Sequence, residues 1–396
     1  MINPSSTTLS RFKIIDLTQA RAGPTCVRQF ADWGADVIAV ERPEPPGSVP
    51  LDLSKRHDPD YQMLFRHKRS MVLDLTRPEG LVVLKDLVRG ADVLVENYRP
   101  DVKHRLGIDY ESMRAINPRL VYTSISGFGQ DGPYRERPGV DQIAQGMSGL
   151  MSVTGHAGHG PVRVGVPIGD MTTGLFAAIG TLNALLEREA SGLGQWVQVS
   201  LLETLTFLME LQASRFLSNG EPAQQLGNGH PTGVPTGAYR TTDGYVNIGV
   251  LPKIWARFCK ALGIEHLIDH PDYATPRLRV QHREQVDQVV AEVVGRHTSA
   301  YWVERLNAFG VPCGPIYQLD QVFDDPQVQH LGLVQRVKTR HAGEQAMMRQ
   351  PVTLSRTPSQ PVDGAPELGE HTETILREAG YSAERISALR SSGVLG

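Results

Sequence analysis

Apolar residues fall into two patterns along this chain. In the first half, short runs of β-branched and aliphatic residues alternate with stretches at helical spacing. Lys13–Leu17 (KIIDL) reads as a buried strand. Gly23-Pro24 marks a turn with Pro suited to a first helical turn. Cys26–Trp33 has helical spacing and stops at Gly34. Val37–Val40 is the next strand and ends in Glu41-Arg42-Pro43. A strand, loop, helix and strand within about 30 residues predicts a parallel pair. The pattern repeats with strands at Met71–Leu75, Asp92–Val95 and Leu120–Ile125, and a helix opening at Arg77-Pro78 and running to about Val88. Residues 1–200 therefore read as a doubly wound α/β layer.

The segment 133–170 is rich in Gly and Pro and carries Gly155-His156-Ala157-Gly158-His159-Gly160. It is long for a connection, which marks it as functional or mobile. A small-residue helix follows from Met171 to about Glu189, then a strand at Gln195–Leu201 and a helix at Glu203–Leu217. These close a first part of a large Rossmann-like domain, 1–218. A compositional shift at 219–236 reads as a linker. Strands at Gly237–Tyr239 and Tyr245–Val250, with helices near Ile254–Leu262, Glu284–Val294 and Ala300–Phe309, predict a smaller α+β domain over 237–316. The tail, 317–396, reads as a return linker and a last part of the large domain.

Composition narrows the function. The 396 residues carry a formal net charge of −3, with 40 basic and 43 acidic side chains. That excludes a broad nucleic-acid surface. Of the basic residues, 32 are Arg and 8 are Lys. Arg is the better fork for phosphate and carboxylate, so small anions are suitable ligands. The three cysteines, Cys26, Cys259 and Cys313, form no disulfide or zinc pattern, which fits a reducing cytoplasm. No apolar run reaches a membrane span, and the first ten residues do not read as a secretory signal.

Asp170 directly precedes the small-residue helix, where an N-cap belongs. Two readings stand: a plain cap, or an ionised carboxylate that can attack an acyl group, with Gly165, Gly169 and Gly174 leaving room for close approach. Arg21, Arg42, Lys68, Arg69 and Arg105 fall at or beyond strand ends, where open α/β sheets bind ligands. Gly127-Phe-Gly129-Gln-Asp-Gly132 matches G-x-G-x-x-G after a strand, but Pro133, Pro138 and Gly139 follow. A dinucleotide fingerprint must open a helix, so a dehydrogenase is not indicated. His156 and His159 lack a third ligand nearby, and no metal site is expected. There is no G-x-S-x-G elbow and no P-loop lysine.

In order along the chain stand DLTQARAGPTCVRQFADWGADVIAVERP (16–43), HKRSMVLDL (67–75), ADVLVENYRPDVKHRLGI (91–108), LVYTSISGFGQDGPY (120–134), VGVPIGDMTTG (164–174), GQWVQVSLLE (194–203), AYRTTDGYVNIGV (238–250) and GVPCGPI (310–316). Together, over about residues 10 to 390, they resemble the family III CoA-transferases, a superfamily that also includes the α-methylacyl-CoA racemases. The resemblance implies ring-shaped protomers, each of a large and a small domain, threaded into an interlocked homodimer. It implies ping-pong transfer of CoA from an acyl-CoA to a free carboxylate, with Asp170 as nucleophile and no tightly bound cofactor. It places Arg42, Lys68, Arg69, Asn97 and Arg105 around CoA.

Three departures refine this. Arg21 stands where formyl-CoA enzymes have a Gln, and an Arg there can pair with a second acceptor carboxylate. Val140 stands in the substrate region where racemases have a catalytic His and formyl-CoA enzymes a Tyr; an alkyl group moves no proton. Gly249-Val250-Leu251-Pro252 lacks the glycine run of the formyl-CoA enzymes. The expectation is a transferase using a succinyl-CoA-like donor and a dicarboxylic acceptor. An acyl-CoA racemase using Asp170 as a base and an inactive CoA-binding dimer are the alternatives.

Overall fold

The computed structural model describes residues 5–43, 56–339 and 343–395. The chain divides into two compact units. The first comprises residues 1–150, 164–214 and 331–396; the second comprises 151–163 and 215–330.

The first unit is built on a six-stranded parallel sheet. Its strands are β1 (Lys13–Asp16), β2 (Asp36–Glu41), β3 (Arg69–Val72), β4 (Val93–Glu96), β5 (Val121–Ser126) and β6 (Trp196–Ser200). Their spatial order is β3-β2-β1-β4-β5-β6. Ile14 pairs with Val37 on one side and Val93 on the other. The chain therefore reverses its direction of winding between β1 and β4, and such a switch point opens a crevice at the carboxyl ends of the strands. The central strands are near-continuous apolar runs because helices cover both faces.

The helices here are α1 (Ala22–Asp32), α2 (Pro59–Phe65), α3 (Pro78–Arg89), α4 (Pro100–Leu106), α5 (Tyr110–Ile116), α6 (Asp141–Met147), α7 (Leu150–Val153), α8 (Ile168–Ser191), α9 (Leu201–Leu208) and α10 (Glu210–Asn219), of which α7 and α10 carry the chain out of the unit. Successive β1 side chains serve opposite faces. Ile15 packs with Ile38, Leu84 and Leu94, and Ile14 with Phe30, Val93 and Ala177. The tail joins the Ile15 face through Ile375, Leu376, Ile386 and Val394. It is also tied to the chain just after β3, where Asp74 N–H donates to Val394 O at 2.9 Å.

The second unit holds an antiparallel sheet of β7 (Thr236–Arg240), β8 (Tyr245–Gly249) and β9 (Cys313–Pro315) in that order. Its core gathers Val246, Ile248, Trp255, Phe258, Val290 and Leu306. The stretch 219–235 is bonded within this unit. Gln225 Nε2 donates to the carbonyls of Thr154 and Gly160, both at 2.7 Å, and Gly227 N–H donates to Gly155 O at 2.8 Å. The Gly/His segment is thus stitched to residues the composition alone reads as a linker.

Candidate active site

The head of α8 is capped from a distance. Pro167 occupies the cap position and Asp170 is the third residue of the helix. This corrects the expectation that Asp170 is the N-cap. The capping carboxylate is Asp141, the first residue of α6. Its Oδ1 accepts from the backbone N–H of Gly169 at 2.7 Å and of Asp170 at 3.2 Å. Gln145 Nε2 fixes the other oxygen at 2.6 Å, and Gln145 Oε1 accepts from Val164 N–H at 2.9 Å. Free N–H groups at a helix start are satisfied this way by any well-placed acceptor. The 28-residue separation hides this cap from local sequence signals.

Glycines bring the elements together. A Cβ on Gly169 would lie 2.9 Å from Asp141 Oδ1 and 3.0 Å from Leu205 Cδ1. One on Gly174 would lie 2.6 Å from Ala22 O. The first turns of α8 therefore press against the start of α1, and Arg21 immediately precedes α1.

The Asp170 carboxyl is half-buried and its pKa is pushed up to about 6. Burial is the main cause, the Asp141 carboxylate adds to it, and the Arg21 guanidinium opposes both. The expected dipole effect, which favours the anion, is outweighed by desolvation and a like charge. At neutral pH the group is still mostly ionised, and it is more basic than an ordinary aspartate.

Arg21 lies at the end of a tightly held loop. Asp16 Oδ1 accepts from Thr18 N–H at 2.9 Å and Thr18 Oγ1 at 2.6 Å. Asn97 grips Gln19 on both sides: its Oδ1 accepts from Gln19 N–H at 2.9 Å and its Nδ2 donates to Gln19 O at 2.7 Å. Ala20 then takes a positive φ of 62°. Arg21 Nη2 donates to Asp60 Oδ2 at 2.6 Å.

Beyond the strand ends lies a cleft lined by Gln19, Glu41, Arg42, Thr76, Tyr98 and Arg105, among others. Arg42 and Arg105 are exposed and make no ion pair among the described residues. Two guanidinium forks without a protein carboxylate suit phosphate oxygens. Lys103, on the same helix as Arg105, is buried and anchors α4. Its Nζ reaches Glu96 Oε1 at 2.9 Å and Ser124 Oγ at 3.0 Å.

Lys68 and Arg69 differ from the expectation that they border the ligand. Lys68 is fully sealed, with Nζ 2.8 Å from Asp16 Oδ2. Its charge is spent beneath the Thr18 loop. Arg69 joins Asp36 at 2.6 Å and Glu378 at 2.7 Å. Val140 is the residue before α6 and is exposed, so its isopropyl group faces solvent beside Asp141. Sequence reasoning missed Asp141, Asp60 and Lys103; only the capping potential of Asp141 left a local signal. Among the described residues, no group of three or more His, Cys, Asp or Glu is placed to hold a metal ion. None of the described helices is long and apolar enough to cross a membrane.

The chain is similar to known proteins over nearly its whole length. The family profile of CoA-transferase family III matches residues 9–372. A succinate–glutarate CoA-transferase of Agrobacterium fabrum is 37% identical over 380 residues, covering 93% of this chain and 95% of that protein. The human succinyl-CoA:glutarate CoA-transferase is 34% identical, with 98% and 90% covered. The crystal structure of a CaiB/BaiF family protein from Brucella suis superposes with a TM-score of 0.80 at 32% identity, covering 94% of this chain and all of that one. The chain belongs to CoA-transferase family III and is an enzyme of that class.

Proposed function

We propose that this enzyme moves CoA from a succinyl-CoA-like donor to a free dicarboxylate, with Asp170 carrying the CoA between them. The observation that carries the reading is the placement of Asp170: half-buried at the head of α8, unusually basic, and within reach of the Arg21 charge. The named activities of the Agrobacterium and human relatives support the choice of substrates.

The steps balance without water or redox. An Asp170 oxygen attacks the thioester carbonyl and the CoA thiolate leaves, giving a mixed anhydride. The thiolate attacks the aspartyl carbonyl of that anhydride and the donor acid departs. Asp170 is then a CoA thioester. The acceptor carboxylate attacks it, again expelling thiolate and forming a second anhydride. The thiolate collects the acceptor acyl group, and Asp170 is restored as a carboxylate. Arg42 and Arg105 hold the CoA phosphates, and Asn97 shapes the cleft wall by gripping Gln19. Arg21 pairs with the acceptor's second carboxylate, and Val140 borders the acyl group.

The working form is a homodimer of interlocked rings in the cytoplasm. Exposed Met171, Leu175, Ile179 and Leu186 support an association. Their spacing puts them on one side of α8, and apolar stripes of this kind are normally covered. Three free cysteines fit a reducing compartment.

Incubation with succinyl-CoA alone, followed by intact-protein mass spectrometry, tests the mechanism. An added CoA mass, removed by hydroxylamine and absent from Asp170→Ala, is expected. If the wild-type protein binds CoA yet gains no mass with any donor, the covalent route is wrong.

A further inference from the structure

We propose that Asp60 sets the acceptor specificity of this enzyme by holding the Arg21 guanidinium with part of its fork free for a second carboxylate. This rests on the reading of Arg21 as the residue that meets the acceptor's distal group.

Three observations carry it. First, the contact uses one donor. Arg21 Nη2 reaches Asp60 Oδ2 at 2.6 Å, and no other hydrogen bond of the Arg21 side chain is seen among the described residues. A guanidinium has five N–H donors, so the fork keeps free N–H groups to clamp a carboxylate. Second, both ends of the contact stand on fixed supports. Arg21 follows the loop gripped by Asn97. Asp60 lies in the first turn of α2, which is pinned on its far side. There, buried Gln62 donates to Arg56 O at 2.7 Å and accepts from Ala365 N–H at 3.0 Å. Leu64 of the same helix is also buried. Third, the charges that act on Arg21 include Asp60, Asp170 and Arg28. Arg28 repels the guanidinium and its Nη1 is occupied with Met63 O at 3.5 Å. Without Asp60, the Asp170 carboxylate is an anion left to attract Arg21. A direct Arg21–Asp170 pair would lower the basicity of Asp170 and remove the fork from the acceptor. Asp60 therefore keeps Arg21 near the nucleophile without letting the two neutralise each other.

Asp60 is 69% exposed at its side chain and Arg21 35%. Exposed pairs of this kind give small effects, so removal should change acceptor affinity by roughly three- to fivefold.

The test uses succinyl-CoA as donor and C4–C6 dicarboxylates as acceptors. The best dicarboxylate is compared with the monocarboxylate of the same length, by KM or, if the latter is not turned over, by its inhibition constant. Wild type, Asp60→Asn, Arg21→Gln and the double variant are measured across pH. In Asp60→Asn the preference for the dicarboxylate should fall three- to fivefold through KM rather than kcat. The acid limb of the rate profile should move to lower pH. Asp60→Glu should restore part of the preference, and the double variant should match Arg21→Gln alone. If Arg21→Gln lowers the preference and Asp60→Asn does not, the role of Asp60 is refuted while that of Arg21 stands. A gain in preference in Asp60→Asn would make Asp60 a competitor of the substrate and refute the proposal. If Arg21→Gln leaves the preference intact, or no dicarboxylate is an acceptor, both readings fall together.

Discussion

One oxygen of Asp141 accepts the backbone N–H groups of Gly169 and Asp170, so a carboxylate caps the helix that presents a second carboxylate. The cap fixes the head of the helix that carries Asp170, and its charge raises the Asp170 pKa. Asp141→Asn separates the two effects. The amide oxygen can still accept the N–H groups and the like charge is gone, at the cost of the Gln145 Nε2 bond to the other oxygen. The pKa of Asp170 should fall from about 6, and the acid limb of kcat/KM should move to lower pH. Asp141→Ala loses the cap as well and should cost about 1–2 kcal/mol of stability. A pH profile and a urea melt on each variant check both statements.

Asp170 itself is a source of instability at neutral pH. Its carboxyl is harder to ionise in the folded chain than in the unfolded one, where the value is 3.8. The folded state therefore binds the proton more readily between that value and about 6. Stability falls as pH rises through this window, and the full penalty stands above it. Because the group is half-exposed, the penalty is about 1 kcal/mol after screening. Asp170→Asn should abolish turnover and raise Tm by about 1–3 °C at pH 7. The gain should shrink between pH 6 and pH 4.5. Thermal melts at several pH values decide this; a lower Tm at pH 7 would contradict it.

Much of this frame was legible in the residue pattern, and the reasons are local. Ile14–Ile15 and Val93–Val95 are apolar runs of strand length, and short apolar strands separated by helical spacing leave few topologies. Asp170 and Arg42 draw attention in the sequence because each stands at a marked junction of elements. The partners of these residues were not. Asp141 reaches Gly169, Lys68 reaches Asp16 and Asp60 reaches Arg21 across 28, 52 and 39 residues. Such pairings depend on where the chain folds back, and no periodicity encodes them. Lys68 shows the consequence. A lysine before a strand invites assignment to a phosphate, but an aspartate two strands away in the sequence consumes its charge.

Arg42 and Arg105 should matter for binding and little for chemistry. Each lines the cleft and forms no ion pair among the described residues. A hydrogen bond to a charged group contributes about 1.5–3 kcal/mol. Arg42→Gln and Arg105→Gln should each raise KM for the acyl-CoA by about tenfold or more. kcat should stay within about threefold, and the penalty should shrink at high salt. Steady-state kinetics with varied donor at two ionic strengths reads this directly. A fall in kcat at unchanged KM would move either residue out of the nucleotide-binding role.

The Lys68–Asp16 pair lies fully inside the protein, with side chains 0% and 1% exposed. Removing one partner leaves a buried charge alone, which costs about 3–5 kcal/mol. Lys68→Met should therefore be strongly destabilised. The double variant Lys68→Met with Asp16→Asn should recover a large part of the loss, since the amide can still accept from Thr18. Denaturant melts on both variants give the comparison. Equal destabilisation of single and double variants would show that packing, not the ion pair, sets the cost.

The last prediction concerns the spacing between α1 and α8. Gly174 is the contact point: an added Cβ would stand 2.6 Å from Ala22 O and 2.7 Å from Thr25 Cβ. A backbone oxygen cannot turn aside as a side-chain end can, so the two helices must separate. Overpacking of this kind costs about 1–3 kcal/mol, which the folded state should survive. The head of α8 would shift relative to Arg21, and a misplacement of about 1 Å at a reacting group can cost about a hundredfold in rate. Gly174→Ala should therefore lose far more kcat than stability. Gly90→Ala is the control, because a Cβ there meets nothing within 4 Å. If Gly174→Ala keeps wild-type kcat, the close approach of the helices has no role in aligning Asp170.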